Sequence, residues 1–265
     1  MIKLNYSIEN ENLEYTAYHQ SIENRKNCAV FDELAKEHVL LSKQYENAFN
    51  ELNEAAEKNT FRHEYSKNQN FGLPRGYYSP SRADWVVGGA DRGRLLKSAP
   101  KKIDCNYEYC FDAENRLICV KELDFFKEQI RHLATEFIFH EQDREFSLVF
   151  ELNFILPTQL SYIRECKYEN GLLMQFAQTS LKYGDAKKPY WRIEAETFAY
   201  TDGLLSEMHR YSYFPPLQLS HYKFKFNQDD EGYLSTYKCE QMGYKPKGRR
   251  EYEEKSVFQV SGKHK

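Results

Sequence analysis

Asp202-Gly203 is the feature that most restricts how this chain can fold. It lies between two extended runs, Tyr190–Thr201 and Leu204–Ser212. Asp-Gly between such runs is a strong signal for a two-residue type I′ hairpin. Fixing the turn fixes the pairing: Tyr200 opposite Leu205, Phe198 opposite Glu207, Glu196 opposite His209 and Glu194 opposite Tyr211. Side chains alternate across a strand. One face is therefore expected to carry Glu194, Glu196, Phe198, Tyr200, Glu207, His209 and Tyr211. The other carries small and apolar groups such as Ile193, Ala195, Thr197, Ala199 and Ser206. The small face is suited to be covered, and the aromatic, acidic face to be shown.

The same unit recurs. An aromatic stands just before a polar turn at positions 111, 139, 168, 200 and 226. Such self-similarity marks one supersecondary unit used repeatedly. Each unit reads as a hairpin, so residues 104–265 are expected to form an antiparallel up-and-down meander of about ten strands. A last short strand is expected over Val257–Ser261, after a charged loop, KPKGRREYEEK. The join at Asp124–His132 reads either as a loose link or as a short helix. The chain holds 21 Tyr and 18 Phe against 2 Trp, and tyrosine suits both strands and binding surfaces.

Upstream the period changes. A short strand is expected at MIKLNYSI. From Cys28 to Lys58 the residues Phe31, Leu34, His38, Leu41, Tyr45, Phe49 and Leu52 recur at three- and four-residue steps, which predicts one long amphipathic helix. Such a helix of about 30 residues is about 45 Å long, close to the width of about ten strands. The predicted fold class is therefore α+β: a long N-terminal amphipathic helix packed on a large antiparallel meander.

Residues 61–103 differ again, with nine Lys or Arg against three Asp or Glu. Gly, Pro and Ser interleave with the charges, as in an extended connector. Arg75, Arg82, Arg92 and Arg94 form a candidate anion site there. The segment has no GxxxxGK[ST] loop and no GxGxxG turn. The organisation read from the chain is thus a helical segment, 1–60, a basic connector, 61–103, and the meander, 104–265, together making one compact unit.

Composition excludes several classes. No apolar run reaches the roughly 18 residues of a membrane span, and no secretory leader is expected. The six cysteines have no zinc-like spacing, which places the chain in the cytosol with reduced thiols and calls for no metal or cofactor. No catalytic residues are assigned. Glu194, Glu196 and Glu207 as a carboxylate pair and His140, His209 and His221 as ligands are outweighed by ordinary cross-strand pairing. The strand HYKFKF has the aromatics that stack on single-stranded nucleic acid, but its acidic surroundings argue against that partner.

FDAENRL at 111–117, with YENGLL and YTDGLL, resembles the YD unit of Rhs-type repeats. A short acidic hairpin array is similar to bacterial immunity proteins, the kind encoded beside contact-dependent or Rhs toxins. The resemblance implies a non-enzymatic protein that binds and neutralises a cognate toxin, for example a basic nuclease domain, by occluding it. Glu194, Glu196, Phe198, Tyr200, Glu207, His209 and Tyr211 are then the expected contact surface, with carboxylates for steering and tyrosines as anchors. The alternative is an enzyme or binding module for a phosphate-bearing ligand, built on the arginines of the connector.

Overall fold

The computed structural model describes residues 22–67, 73–88, 90–98, 106–126, 129–152, 158–181, 192–214, 218–242 and 257–259. Among the described residues two helices come first, α1 (Ile22–Tyr45) and α2 (Phe49–Asn59). They are followed by β1 (Arg62–Lys67), β2 (Arg94–Leu95), β3 (Tyr107–Phe111), β4 (Leu117–Phe126) and β5 (Gln129–His140). Next come β6 (Arg144–Glu151), β7 (Gln159–Glu169), β8 (Leu172–Ser180), β9 (Arg192–Thr201) and β10 (Leu204–Phe214). The chain closes with β11 (Gln218–Gln228), β12 (Leu234–Gln241) and β13 (Val257–Gln259). Among the described residues thirteen strands join one antiparallel sheet in the order β13-β12-β11-β10-β9-β8-β7-β6-β5-β4-β3-β1-β2. From β3 to β13 every strand pairs with the next in sequence; β1 lies outside β3, and β2 outside β1.

The turn chemistry explains this simple order. Asn170-Gly171 and Asp202-Gly203 both adopt positive φ at both positions (50° and 78°, 52° and 77°), as a type I′ turn requires. The β4–β5 join, read as a link or a short helix, is instead a strand pair. The expected strand at MIKLNYSI and the charged loop KPKGRREYEEK lie outside the described residues.

The expectation of one long helix packed on the meander is corrected. The helical run breaks at Glu46–Ala48, where Ala48 N donates to Tyr45 O in a turn. The two resulting helices are a minor part of a sheet-dominated chain. A twisted sheet of this width turns away beneath any straight rod, and the break lets each helix follow its own strands. On that face Phe31 of α1 packs on Tyr211 and Tyr213. His38 meets Thr179 (Nδ1···Oγ1 2.6 Å), and Phe49 of α2 sits edge-on to Phe137 and Phe150.

The other face is covered too. Residues 73–88 cross it and bury Leu73, Ala83 and Val86 against Phe176, Phe198, Met208 and Phe224. Tyr77 and Tyr78 pack against Tyr107, Tyr109 and Phe111. Arg75 pins the crossing. Its Nε donates to Glu136 Oε1 (2.6 Å), one Nη to Glu145 and the other to Ser147 Oγ (3.2 Å). Burial alone would lower the Arg75 pKa, but Glu136 and Glu145 hold it well above the ordinary value. Arg164 donates to the second oxygen of Glu136. Burial would raise Glu136, yet the two guanidiniums outweigh it and lower its pKa. Within this cluster two cations face two carboxylates, and such pairing is the condition under which buried charge is tolerated.

Candidate functional site

A cleft of about 320 Å³ lies where the connector meets the hairpin ends. Arg75 and Arg82 line it together with Tyr78, Tyr168 and Tyr200, and its rim includes the exposed turn glycines Gly171 and Gly203. Tyr168 and Tyr200 stand at the same offset from the positive-φ turns of consecutive hairpins. Alternation then delivers both to the connector face, where they wall the cleft. The Tyr200 hydroxyl donates to Leu173 O (2.8 Å). Burial raises the pKa of Tyr78, Tyr168 and Tyr200, so these hydroxyls stay protonated at neutral pH.

Arg82 is held by its backbone. Glu196 reaches up from β9 to accept from Ser81 Oγ (2.6 Å), Arg82 N (2.7 Å) and Ala83 N (3.0 Å). These donors open a short, wide helical turn, Ala83–Val87, closed by Gly88 N donating to Ala83 O (2.8 Å). The carboxylate at the start of the turn fixes the point from which the Arg82 side chain enters the cleft. Desolvation lowers the Arg82 pKa. Desolvation also lowers that of Arg92, and the nearby charge of Arg82 lowers it further. Arg92 donates to Tyr77 O and lies over the Tyr77 ring, 5.2 Å from its centroid. Of the four arginines read from the sequence, two line the cleft and Arg92 stands near Arg82. Arg94, exposed on the outermost strand, is not among the lining residues.

The seven residues expected on one contact face are divided. A bulge at Ser206 leaves Leu205 opposite Tyr200 but moves Glu207 opposite Ala199, Met208 opposite Phe198 and Arg210 opposite Glu196. One extra residue exchanges the faces for the rest of the strand. Glu194, Glu196, Phe198 and Tyr200 therefore lie under the connector, with Glu196 at 4% and Phe198 at 5% exposure. Glu207, His209 and Tyr211 lie on the helix face. There Glu207 pairs with Lys223 (2.8 Å) and His209 (2.8 Å), and Tyr211 stacks on His221. His209 Nδ1 and His221 Nε2 are 2.7 Å apart, whereas His140 Nε2 meets Leu117 O (2.8 Å) in a different hairpin. Burial, and then the charge of His209, brings the His221 pKa down to about 4.

Tyr78 and Tyr168 were not foreseen as cleft residues. For Tyr168 a signal was present: the shared offset from the Asn-Gly and Asp-Gly turns aligns it with Tyr200. For Tyr78 there was none, because nothing local shows where a connector will land. Among the described residues, no helix is long and apolar enough to cross a membrane. No family model and no curated protein matches the chain.

Proposed function

We propose that the protein is a binding module for a small phosphate-bearing ligand held in the cleft between the connector and the hairpin ends. The observation that carries this reading is Arg82. Its partly desolvated guanidinium enters a tyrosine-walled cleft and bears on a second cation, Arg92. A guanidinium fork matches phosphate oxygens. Tyr168 and Tyr200 supply ring walls for the remainder of the ligand. The volume is at the lower end for small-molecule sites, which fits a mononucleotide or a sugar phosphate. Neutralising a toxin by occlusion would need one continuous surface, whereas Glu194, Glu196, Phe198 and Tyr200 lie on the opposite face from Glu207, His209 and Tyr211. Free thiols at all five described cysteines are in keeping with a cytosolic setting.

Thermal melting with mononucleotides, sugar phosphates, inorganic phosphate and dicarboxylates tests the proposal. A phosphate compound at about 100 times its Kd should add roughly 2.7 kcal/mol, a rise of about 5–10 °C for a chain of this size. Arg82→Ala should abolish the rise and Arg94→Ala should leave it intact. No rise with any phosphate compound, or a rise that survives Arg82→Ala, would overturn the reading. A response to dicarboxylates alone would overturn the ligand class.

A further inference from the structure

A second, smaller cleft lies on the opposite face, beneath the end of α2. Its volume is about 110 Å³, and Thr60, His63, Cys110, Cys119 and Lys121 are among its lining residues. The sheet register builds it. His63 on β1 and Cys119 on β4 are the two cross-strand partners of Cys110 on β3, so the three form one row across adjacent strands. Glu108 lies two residues from Cys110 on the same strand and therefore on the same face.

We propose that His63, Glu108 and Cys110 form a site for a borderline-soft divalent metal ion such as Zn2+, with the fourth coordination position facing this cleft. The three ligand atoms all lie within 4.8 Å of one another. His63 Nδ1 is 2.8 Å from Glu108 Oε1 and 3.8 Å from Cys110 Sγ. Tetrahedral zinc with ordinary bond lengths places such N and O atoms about 3.3 Å apart, and N and S about 3.6 Å apart. About half an ångström of movement brings both His63 distances to ligand spacing.

The chemistry of the set is consistent with zinc, which takes thiolate, imidazole and carboxylate together. Cys110 is 2% exposed, while the His63 side chain is 45% exposed. The site therefore has a rigid inner ligand and an outer one at a point of entry. Cys119 on β4 stands directly opposite Cys110 in the β3–β4 pair. It is the outer-shell partner that such ligands usually have. Glu57 and Lys121 both line the cleft, so opposite charges flank it.

The reduced full-length chain, stripped with a chelator, is titrated with Zn2+ by calorimetry and with Co2+ by absorption. One ion per chain is expected, and the Co2+ complex should show a thiolate-to-metal charge-transfer band. Cys110→Ser should remove that band. His63→Ala and Glu108→Gln should each weaken Zn2+ binding by about tenfold or more. Cys119→Ser should keep the band and hold the affinity within a few fold. Absence of saturable binding, a band that survives Cys110→Ser, or loss confined to Cys119→Ser would each overturn the assignment. If Cys110→Ser fails to fold, His63→Ala decides alone, because its side chain is solvent-facing; unchanged Zn2+ affinity there rejects the site.

Discussion

Arg75→Met should detach the connector from the sheet. Arg75 sits at 5% exposure and donates to Glu136, Glu145 and Ser147 at once. Methionine keeps most of the side-chain volume, so the perturbation is electrostatic and not a cavity. Removing one partner of a buried ion cluster costs about 3–5 kcal/mol, because the remaining charge is left without compensation. Here Glu136 keeps Arg164 and Ser147, and among the described residues Glu145 keeps His140 at 3.7 Å. That residual pairing puts the expected loss near the lower end, about 3 kcal/mol. At roughly 2–4 °C per kcal/mol for a chain of this size, Tm at neutral pH should fall by about 6–12 °C. Adding Glu145→Gln removes the orphaned charge and should recover part of the loss, with a coupling of about 1 kcal/mol or more in a double-mutant cycle. Calorimetry or circular dichroism melting reads both quantities. A fall of less than about 2 °C in the single variant, or simple additivity in the double, would refute the claim that this cluster anchors residues 73–88.

Further outcomes follow from the same buried groups. Desolvation raises the Glu196 pKa to about 7 despite its three donors. The folded state thus favours its proton, and the stability this lends is full below the ordinary value of 4.5 and lost as pH rises through about 7. Glu196→Gln, which can still accept from the two backbone N–H groups and donate to Ser81 Oγ, should flatten the pH dependence of urea unfolding between pH 5 and 8; an unchanged slope would reject the assignment. Burial would raise Glu165, but His38, Lys167 and Arg144 bring its pKa down to about 2. Its contribution is therefore present above 4.5 and lost as pH falls toward 2, so Glu165→Gln should blunt acid unfolding in that window. Gly76 has φ of +53°, and an added Cβ would lie 2.7 Å from the Tyr107 ring. Gly76→Ala should cost about 2–4 kcal/mol. Gly171→Ala has φ of +78° with nothing within 4 Å, and should cost only about 1–2 kcal/mol. Equal losses in the two melting curves would show that the ring contact is immaterial.

Local chemistry made the hairpins legible. Asp-Gly and Asn-Gly demand positive φ, and an alternating strand on either side has little choice but to pair. The five aromatic-turn units correspond to β3–β4, β5–β6, β7–β8, β9–β10 and β11–β12. Helical periodicity between Cys28 and Lys58 was also real, but periodicity reports which face is apolar and not whether the axis stays straight. The break at Glu46–Ala48 answers to the sheet beneath it. The metal-ligand candidates were hidden for another reason: His63 and Cys110 are 47 residues apart in sequence and meet only through the pairing of β1 with β3.

Turn positions and the number of hairpins were thus set by the chain's own local preferences, because each depends on a few neighbouring residues. Which side of the sheet each group faces was decided by tertiary structure. Parity passes along a strand only until a bulge, and the extra residue at Ser206 sends Glu207, His209 and Tyr211 to the helix side while Glu196 stays under the connector. The connector's own role was equally invisible beforehand. A Gly- and Arg-rich segment looks solvated in isolation, and it is groups contributed by distant strands, the buried carboxylates Glu136, Glu145 and Glu196 and the apolar partners of Leu73 and Val86, that give it a reason to lie down.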